Sequence, residues 1–180
     1  MPDFNENVWA PWRMEYIRSL GEEAREVGCF LCRDWQKPED DRANHVLWRG
    51  PDVLVVMNRF PYTNGHLLIA PDRHVGDLQQ LDDGRLLALA RATRDAVALL
   101  TAAFAPQGFN VGYNLGRCAG AGLPEHLHAH VVPRWAGDTN YMTVLGGVRV
   151  IPDALDATYE LLAARAEELG LRGAGSEGIP

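Results

Sequence analysis

The amino-acid sequence predicts an α+β fold with a mostly antiparallel sheet, one long central helix and a second helix near the C-terminus. Two observations support this prediction. Short apolar runs separated by Gly and Pro turns are typical of strands that pair as hairpins. Only two stretches, residues 78–104 and 153–169, carry apolar residues at the spacing of a helix. Few long helices among such strand pairs favour the α+β class.

The early strands surround a turn at Gly50-Pro51, and Pro71 ends the last of them because proline cannot donate to a strand ladder. They are predicted at residues 46–48, 52–58 and 66–70. The long helix is expected to begin at Asp82 or Asp83, either of which can cap its free N–H groups. Its periodicity places Leu89 on the apolar face and Asp95 on the exposed face.

The second half of the chain continues the same pattern. The predicted elements are a strand over 109–115, a glycine-rich loop over 116–122, strands over 125–133 and 148–151, and a helix over 153–169. Tyr159, Leu162 and Ala166 fall on one side of this last helix. The sequence contains no internal repeat.

The chain is expected to consist of one central domain with two extensions. The first extension, residues 1–28, is an arm rich in aromatic residues followed by a short helix, and it docks onto its own domain or onto a partner subunit. The central domain is expected over 29–152. The second extension, 153–180, is a helix followed by a glycine-rich flexible tail from Gly170 onward.

The composition excludes several classes of protein. A net charge of −7 is unfavourable for nucleic-acid binding, which needs an excess of Lys and Arg. Three cysteines, an odd number, argue against a disulfide framework. No secretory leader and no apolar run of membrane-spanning length are present. We therefore expect a cytoplasmic protein with no membrane partner.

Three histidines, His126, His128 and His130, alternate along the last long strand. Successive strand side chains point to opposite faces, so the three imidazoles are expected to share one face. Such a row indicates either a metal site or chemistry that moves protons near neutral pH. Asn114 and the loop Gly116–Gly122 precede the row, and backbone N–H groups of glycine-rich loops can bind phosphate oxygens. This neighbourhood favours a histidine nucleophile acting on a phosphate.

From Asn114 to Arg134 the chain reads N-x-G-x-x-A-G-x(5)-H-φ-H-φ-H-φ-φ-P-R. This stretch resembles the signature of the histidine triad (HIT) superfamily of nucleotide hydrolases and transferases. The resemblance extends upstream through Leu54–Asn58 and Gly65–Pro71. It implies a HIT-like fold, no organic cofactor, and a homodimer.

A narrower resemblance points to the bacterial diadenosine tetraphosphate phosphorylase branch of the superfamily. It rests on Val8–Arg13, with its two tryptophans, and on Pro133–Asp138. The substrate implied is a dinucleoside polyphosphate, diadenosine tetraphosphate above all. Inorganic phosphate or water would be the acceptor.

The resemblance also implies a role for each site residue. His128 would attack the α-phosphorus and form a covalent nucleotidyl-histidine intermediate. His130 and Asn114 would stabilise charge on the phosphate, and His126 completes the triad. Asn58 corresponds to the position that holds the ribose hydroxyls.

Two further positions belong to the expected substrate site. Gly120 contributes to the glycine-rich loop, and His66 is expected to support the site from the start of a strand. One departure concerns Ala119–Gly122, which lacks the amide that the family often carries before its histidines. A donor to the leaving group is therefore missing or comes from elsewhere, and phosphorolysis and hydrolysis both stay open.

The motif Cys29-x-x-Cys32 indicates half a zinc site, a redox pair or a chance pair. Several bacterial histidine triad proteins resemble this arrangement, with a histidine at the position of His74 and the first triad histidine, here His126, around the metal. The resemblance thus implies structural Zn²⁺ in a closed four-ligand site. The alternative is a pair of buried, metal-free thiols.

Two other functions are compatible with a histidine row of this kind: a nucleoside phosphoramidate hydrolase and a nucleotide or metal sensor without turnover. The tryptophan-rich arm argues against the first, because that branch typically lacks it. The complete triad with Asn58 and Asn114 argues against the second. Arg13, Arg134 and Arg149 are candidates for contacts with distal phosphates, or are ordinary surface arginines.

Overall fold

The computed structural model describes residues 28–138 and 153–171 of the chain. Several predicted features lie outside these residues: the aromatic arm with Arg13, the strand over 148–151 with Arg149, and the tail from 172 onward. No helix within the two described ranges has the length and apolar character needed to cross a lipid bilayer.

Five strands form one sheet in the order β1-β2-β3-β5-β4, and every neighbouring pair is antiparallel. Their bounds are Val46–Arg49 for β1, Val53–Met57 for β2, Leu67–Pro71 for β3, Gly108–Tyr113 for β4 and Ala129–Arg134 for β5. The predicted α+β class and antiparallel sheet are confirmed. β5 contains His130, the last histidine of the row, and pairs with β3 on one side and β4 on the other.

The described residues contain three α-helices, α1 at Phe30–Gln36, α2 at Asp83–Phe104 and α3 at Leu155–Glu168. α2 begins as predicted, because the Asp82 carboxylate accepts a hydrogen bond from the Arg85 N–H at 2.9 Å. It ends at Ala105, whose left-handed backbone turns the chain towards Pro106.

α2 and α3 cover one face of the sheet. Val55, Ile69 and Val131 of the strands share a single buried core with Leu99 of α2 and Leu162 of α3. These residues lose most of their contact with water, which is the main source of stability for a domain of this size. The apolar side predicted for the last helix is confirmed.

The expectation that Asp95 lies on the exposed face of α2 was wrong. Its side chain is buried and pairs with Arg94 at 2.9 Å. The buried stripe runs through Leu89, Ala92 and Ala96, so the helix is rotated relative to the face predicted from spacing. The ion pair with Arg94 offsets part of the cost of burying this carboxylate.

The opposite face of the sheet carries a smaller core and α1. Leu31 of α1 packs there against Leu54 and Val56 of β2 and Leu68 of β3. α1 was not predicted, and it begins directly at the Cys-x-x-Cys motif, with the Cys29 thiolate or thiol capping the Cys32 N–H.

Gly170 and Leu171, the first two residues of the predicted flexible tail, are part of the folded domain. Leu171 is almost fully buried in the main core. Gly170 takes a left-handed backbone conformation (φ 70°), and the Leu171 N–H donates to the Ala166 carbonyl at 2.9 Å. This is a glycine helix stop that folds the following apolar residue back onto the helix. The tail prediction was therefore wrong for these two residues.

Candidate functional site

The three triad histidines extend from the face of the sheet opposite α2 and α3. The residues that alternate with them, Leu127, Ala129 and Val131, are buried in the main core. The alternation predicted from the sequence therefore holds in the folded chain. The imidazole rings of His128 and His130 lie 4.9 Å apart, edge to face.

The histidine strand is shorter than the predicted 125–133, because β5 begins only at Ala129. Its pairing with β3 stops at Ile69↔Ala129. His126 and His128 thus lie on the segment that precedes the ladder, with a bend at His126, and His130 lies within the ladder. The two ends of the row have different supports.

His130 is oriented by a chain of hydrogen bonds from the loop between β2 and β3. The Tyr62 N–H donates to His66 Nδ1 at 3.1 Å, so Nδ1 is an acceptor and the neutral ring carries its proton on Nε2. His66 Nε2 then donates to His130 Nδ1 at 2.9 Å. His130 is left with a proton on Nε2. That atom is buried and has no hydrogen-bond partner among the described residues.

His128 is oriented by its own strand segment. Its Nδ1 donates to the His126 carbonyl at 2.8 Å, since a carbonyl can only accept. The lone pair of the neutral imidazole therefore resides on Nε2. His128 thus presents a nucleophilic nitrogen next to His130, whose buried N–H has no acceptor in the part of the chain that the structure describes. This pairing is suited to a phosphate.

Burial keeps the triad neutral. It lowers the pKa of His128 below the ordinary value, with the His126 carbonyl acting in the opposite direction. Burial, aided by the nearby His128, lowers the pKa of His130 to about 4. A neutral imidazole is a nucleophile without prior deprotonation, so the site is in its reactive form at neutral pH.

Asn58 and Asn114 flank this site as the sequence predicted. Asn58 Nδ2 lies 3.2 Å from His66 Nδ1, and its Oδ1 accepts from the Phe60 N–H at 2.9 Å. Continuing the β4–β5 register beyond Tyr113↔Ala129 places Asn114 opposite His128. Both amides are therefore next to triad histidines or their supports.

The glycine-rich loop is organised by its own hydrogen bonds. The N–H groups of Ala119 and Ala121 donate to the Gly116 carbonyl, and that of Gly120 donates to Arg117. The Gly120 carbonyl faces Asn114 Nδ2 at 3.5 Å. Three of the N–H groups that the sequence suggested for phosphate binding are therefore used within the loop.

Cys29, Cys32, His74 and His126 form a cluster whose potential ligand atoms lie within 4.8 Å of one another. Cys29 Sγ is 3.1 Å and Cys32 Sγ 3.4 Å from His126 Nδ1, and Cys32 Sγ is 3.3 Å from His74 Nδ1. His126 Nε2 donates to the Pro71 carbonyl at 3.0 Å, so its Nδ1 lone pair faces the sulfurs. Two thiols and two imidazoles in this arrangement fit tetrahedral Zn²⁺.

The Cys29 thiol does not have the lowered pKa of a redox nucleophile. Burial raises the pKa of Cys29 to about 11, whereas a redox nucleophile needs a lowered thiol pKa. A bound cation would reverse this shift by stabilising the thiolate.

Two further residues, Arg134 and Tyr62, lie near the histidine row. Arg134 is held by Asp138 at 2.5 and 2.9 Å and by Asn110 at 2.6 Å, so its donors are largely engaged within the chain. Tyr62 was not among the predicted site residues. Its ring stacks on His66 with centroids 4.7 Å apart. The sequence shows Tyr62 only as a residue of a turn.

A neutral histidine pair on one face of a five-stranded antiparallel sheet, beside a glycine-rich loop, defines the histidine triad class. Residues 39–137 match the HIT domain family, and the chain belongs to that family.

Relatives make the comparison more specific. AP-4-A phosphorylase of Mycobacterium tuberculosis is 40% identical over 165 residues, covering 88% of this chain and 83% of that protein. The asymmetrical bis(5'-nucleosyl)-tetraphosphatase of Schizosaccharomyces pombe is 30% identical over 95 residues, or 53% of this chain and 52% of that protein. A zinc-bound histidine triad family protein from Mycobacterium smegmatis shares the fold, with a TM-score of 0.64, 24% identity, and coverage of 81% and 97%.

Proposed function

We propose that this protein cleaves dinucleoside polyphosphates, diadenosine tetraphosphate above all, by nucleotidyl transfer at the α-phosphate. The observation that carries the proposal is the pairing of His128 with His130. One ring has its lone pair on Nε2, and the other has a buried Nε2–H without an acceptor among the described residues. A phosphate between them would meet a nucleophile and a hydrogen-bond donor at once.

The reaction would proceed in two displacements. His128 Nε2 attacks the α-phosphorus, an N–P bond forms, and the P–O bond to the β-phosphate breaks, so that ATP leaves from diadenosine tetraphosphate. The His128 Nδ1–H stays on the His126 carbonyl, which stabilises the positive charge that the ring acquires. An acceptor then attacks the same phosphorus and releases His128.

The remaining site residues would bind and orient the substrate. His130 donates to the α-phosphate, and His66 supports it through the Nε2 to Nδ1 hydrogen bond. Asn114, opposite His128 by register, donates to the same phosphate. Asn58 holds the ribose hydroxyls with the donor and acceptor capacity that its loop contacts leave. Gly120 shapes the loop beside the phosphate, with its backbone in the left-handed region (φ 91°).

We favour inorganic phosphate over water as the acceptor, which gives ADP and ATP rather than AMP and ATP. The relative at 40% identity is named as a phosphorylase, while the one at 30% identity over about half of the chain is named as a tetraphosphatase. The loop Ala119–Gly122 lacks a side-chain amide. Because this loop consists of Ala and Gly alone, it would leave room for an inorganic phosphate next to the α-phosphorus of the bound substrate.

Zn²⁺ is proposed as a structural metal held by Cys29, Cys32, His74 and His126. The donor set and its spacing support this, together with the zinc-bound relative of the same fold. Four protein ligands close the coordination sphere, so the metal would stabilise the fold without activating water. His126 therefore acts beside the reaction, as a metal ligand whose backbone carbonyl orients His128.

The protein is also proposed to be a cytoplasmic homodimer joined at β4. This strand is one of the two outer strands of the sheet in the described residues, and Val111 on it is half exposed. An outer strand presents unpaired backbone groups that a second copy can pair with. The free thiols Cys29, Cys32 and Cys118 are consistent with a reducing compartment.

A single-turnover incubation with diadenosine tetraphosphate tests the function. With excess enzyme, adenylyl should be trapped on His128 and one equivalent of ATP released. Adding inorganic phosphate should convert the adduct to ADP faster than water converts it to AMP. Absence of an adduct together with unreacted substrate would contradict the proposal, and AMP as the only product would contradict phosphate as the acceptor.

A further inference from the structure

The segment that carries His126 and His128 is supported by a turn, not by a strand. The β3–β5 ladder stops at Ile69↔Ala129, and the segment before it, with a turn at Pro124–Glu125 and a bend at His126, pairs with no strand of the described residues. The chain beyond β3 replaces the ladder. The Pro71 carbonyl accepts from His126 Nε2 at 3.0 Å, and the Val75 carbonyl accepts from the Leu127 N–H at 2.6 Å.

Gly76 makes the closest approach between these two segments. A Cβ placed on Gly76 would lie 2.5 Å from the Pro124 carbonyl oxygen and 3.5 Å from Glu125 Cα. Its φ lies outside the left-handed region, so an L-residue could adopt this backbone. The need for glycine at this position is therefore a need for space, and the atoms that would have to yield belong to the backbone.

The turn is also held by hydrogen bonds of its own, which would resist its displacement by a clash with Pro124. The N–H groups of Gly76 and Asp77 both donate to Gln80 Oε1, each at 3.1 Å. Asp77 and Gln80 also form a capping box at the start of the short 3₁₀ helix Leu78–Gln80. These contacts resist a movement of Gly76 away from Pro124.

A displacement of Pro124 would be passed on to the nucleophile. Pro124 is two residues before His126, and the His126 carbonyl orients His128 through its Nδ1–H. A Cβ at residue 76 requires a shift of at least about half an ångström, since real Cβ contacts essentially never fall below 3.0 Å. Nucleophilic attack depends on alignment at this scale, and an error of about 1 Å can cost about 10²-fold in rate.

We propose that Gly76 is a positioning residue for the nucleophile: its missing side chain lets the turn after β3 set the place of the segment 124–128, and thereby the aim of His128. This inference rests on the proposed function for its kinetic consequence. The placement itself is a property of the backbone and has a readout of its own, the protection of the Leu127 N–H against hydrogen exchange.

The test compares Gly76→Ala with Gly108→Ala in the full-length protein. A Cβ at Gly108 meets no atom of residues 28–138 and 153–171 within 4 Å, so this variant controls for the loss of a glycine. In Gly76→Ala the rate of adduct formation from diadenosine tetraphosphate should fall about tenfold or more, with the substrate Kd changed less than about threefold. The Leu127 N–H should lose protection. Gly108→Ala should leave the rate and the protection unchanged.

Gln80→Ala supplies a second test through the support behind Gly76. Added to Gly76→Ala, it lets the turn retreat and should restore part of the rate. Alone, it should lower Leu127 protection, which keeps the proposal testable if Gly76→Ala does not fold. Wild-type rate and wild-type Leu127 protection in Gly76→Ala would overturn the inference. A wild-type protein that forms no adduct would instead overturn the proposed function, and Leu127 exchange would still decide the placement.

Discussion

The two ends of the histidine row share one face and differ in how they are held. His130 lies inside a strand with a partner on each side, and its ring is oriented by His66. His126 lies before the ladder, and its ring is turned towards two cysteines and His74. Side-chain alternation alone would make the three histidines equivalent. Backbone pairing and side-chain partners distinguish the two ends in the structure, and we propose phosphate chemistry for one end and metal binding for the other.

The largest effect is expected midway between the two ends. His128→Ala should lower kcat roughly 10⁴–10⁶-fold, because the nucleophile is removed. Nucleotide binding should persist, since the other contacts stay in place. Turnover of diadenosine tetraphosphate and equilibrium binding of AMP check the two parts. Full turnover in this variant would remove the basis for distinguishing the ends of the row.

The next effect belongs to the His130 end. His130→Gln should lower kcat by about 10²–10³-fold, because a buried donor to the phosphate is displaced. Metal content should stay at the wild-type value, since His130 is not among the cluster residues. Steady-state kinetics and metal analysis of the same preparation check both parts. A loss of metal here would show that the two ends are not separate.

A smaller effect on activity is expected at the His126 end. Cys32→Ser should abolish stoichiometric zinc and lower the free energy of unfolding by roughly 2–3 kcal/mol, because a ligand that binds only the folded chain is lost. The fall in kcat should be less than about tenfold. Cys118→Ser, which changes the exposed third thiol, is the matched control for metal content and denaturant unfolding. Zinc-free wild-type protein of unchanged stability would contradict the metal assignment.

The smallest effect is a pH dependence of stability at the His130 end. His130 has a pKa of about 4 in the folded chain, below the ordinary 6.5, and it faces His66, His128 and Tyr62. The unfolded chain therefore takes up this proton first, and stability present above pH 6.5 is lost as the pH falls towards 4. The unfolding free energy of wild type minus that of His130→Gln should therefore fall as the pH is lowered from 6.5 towards 4. A rise in this quantity as the pH is lowered would show that the folded chain binds the His130 proton more tightly than the unfolded chain does.

The sequence predicted those parts of the fold that depend on local periodicity. The alternation of His126, His128 and His130 with buried residues is a local property, and it holds even where no ladder forms. The cap at Asp82 and the apolar side of α3 are local in the same sense. Such features need no knowledge of which elements meet.

The features that the sequence did not predict depend on tertiary contacts. The β3–β5 ladder ends at Ile69↔Ala129 although β3 runs on to Pro71 beside β2, and nothing in residues 125–133 records where this pairing stops. The burial of Asp95 depends on how α2 is rotated against the sheet. The orientation of His66 depends on the Tyr62 N–H, within a loop that the sequence shows only as a turn.

The Cys29–His126 contact joins positions 97 residues apart in the chain. A cross-link that closes a loop of this length removes roughly 4–5 kcal/mol of freedom from the unfolded chain in the chain-entropy model. A metal held there would close around β1 to β4 and α2, all of which lie between its ligands in sequence. During synthesis, Cys29 emerges from the ribosome long before His126 does. The complete ligand set would therefore exist only after most of the chain has been made, so metal uptake would be a late step in the folding of the domain.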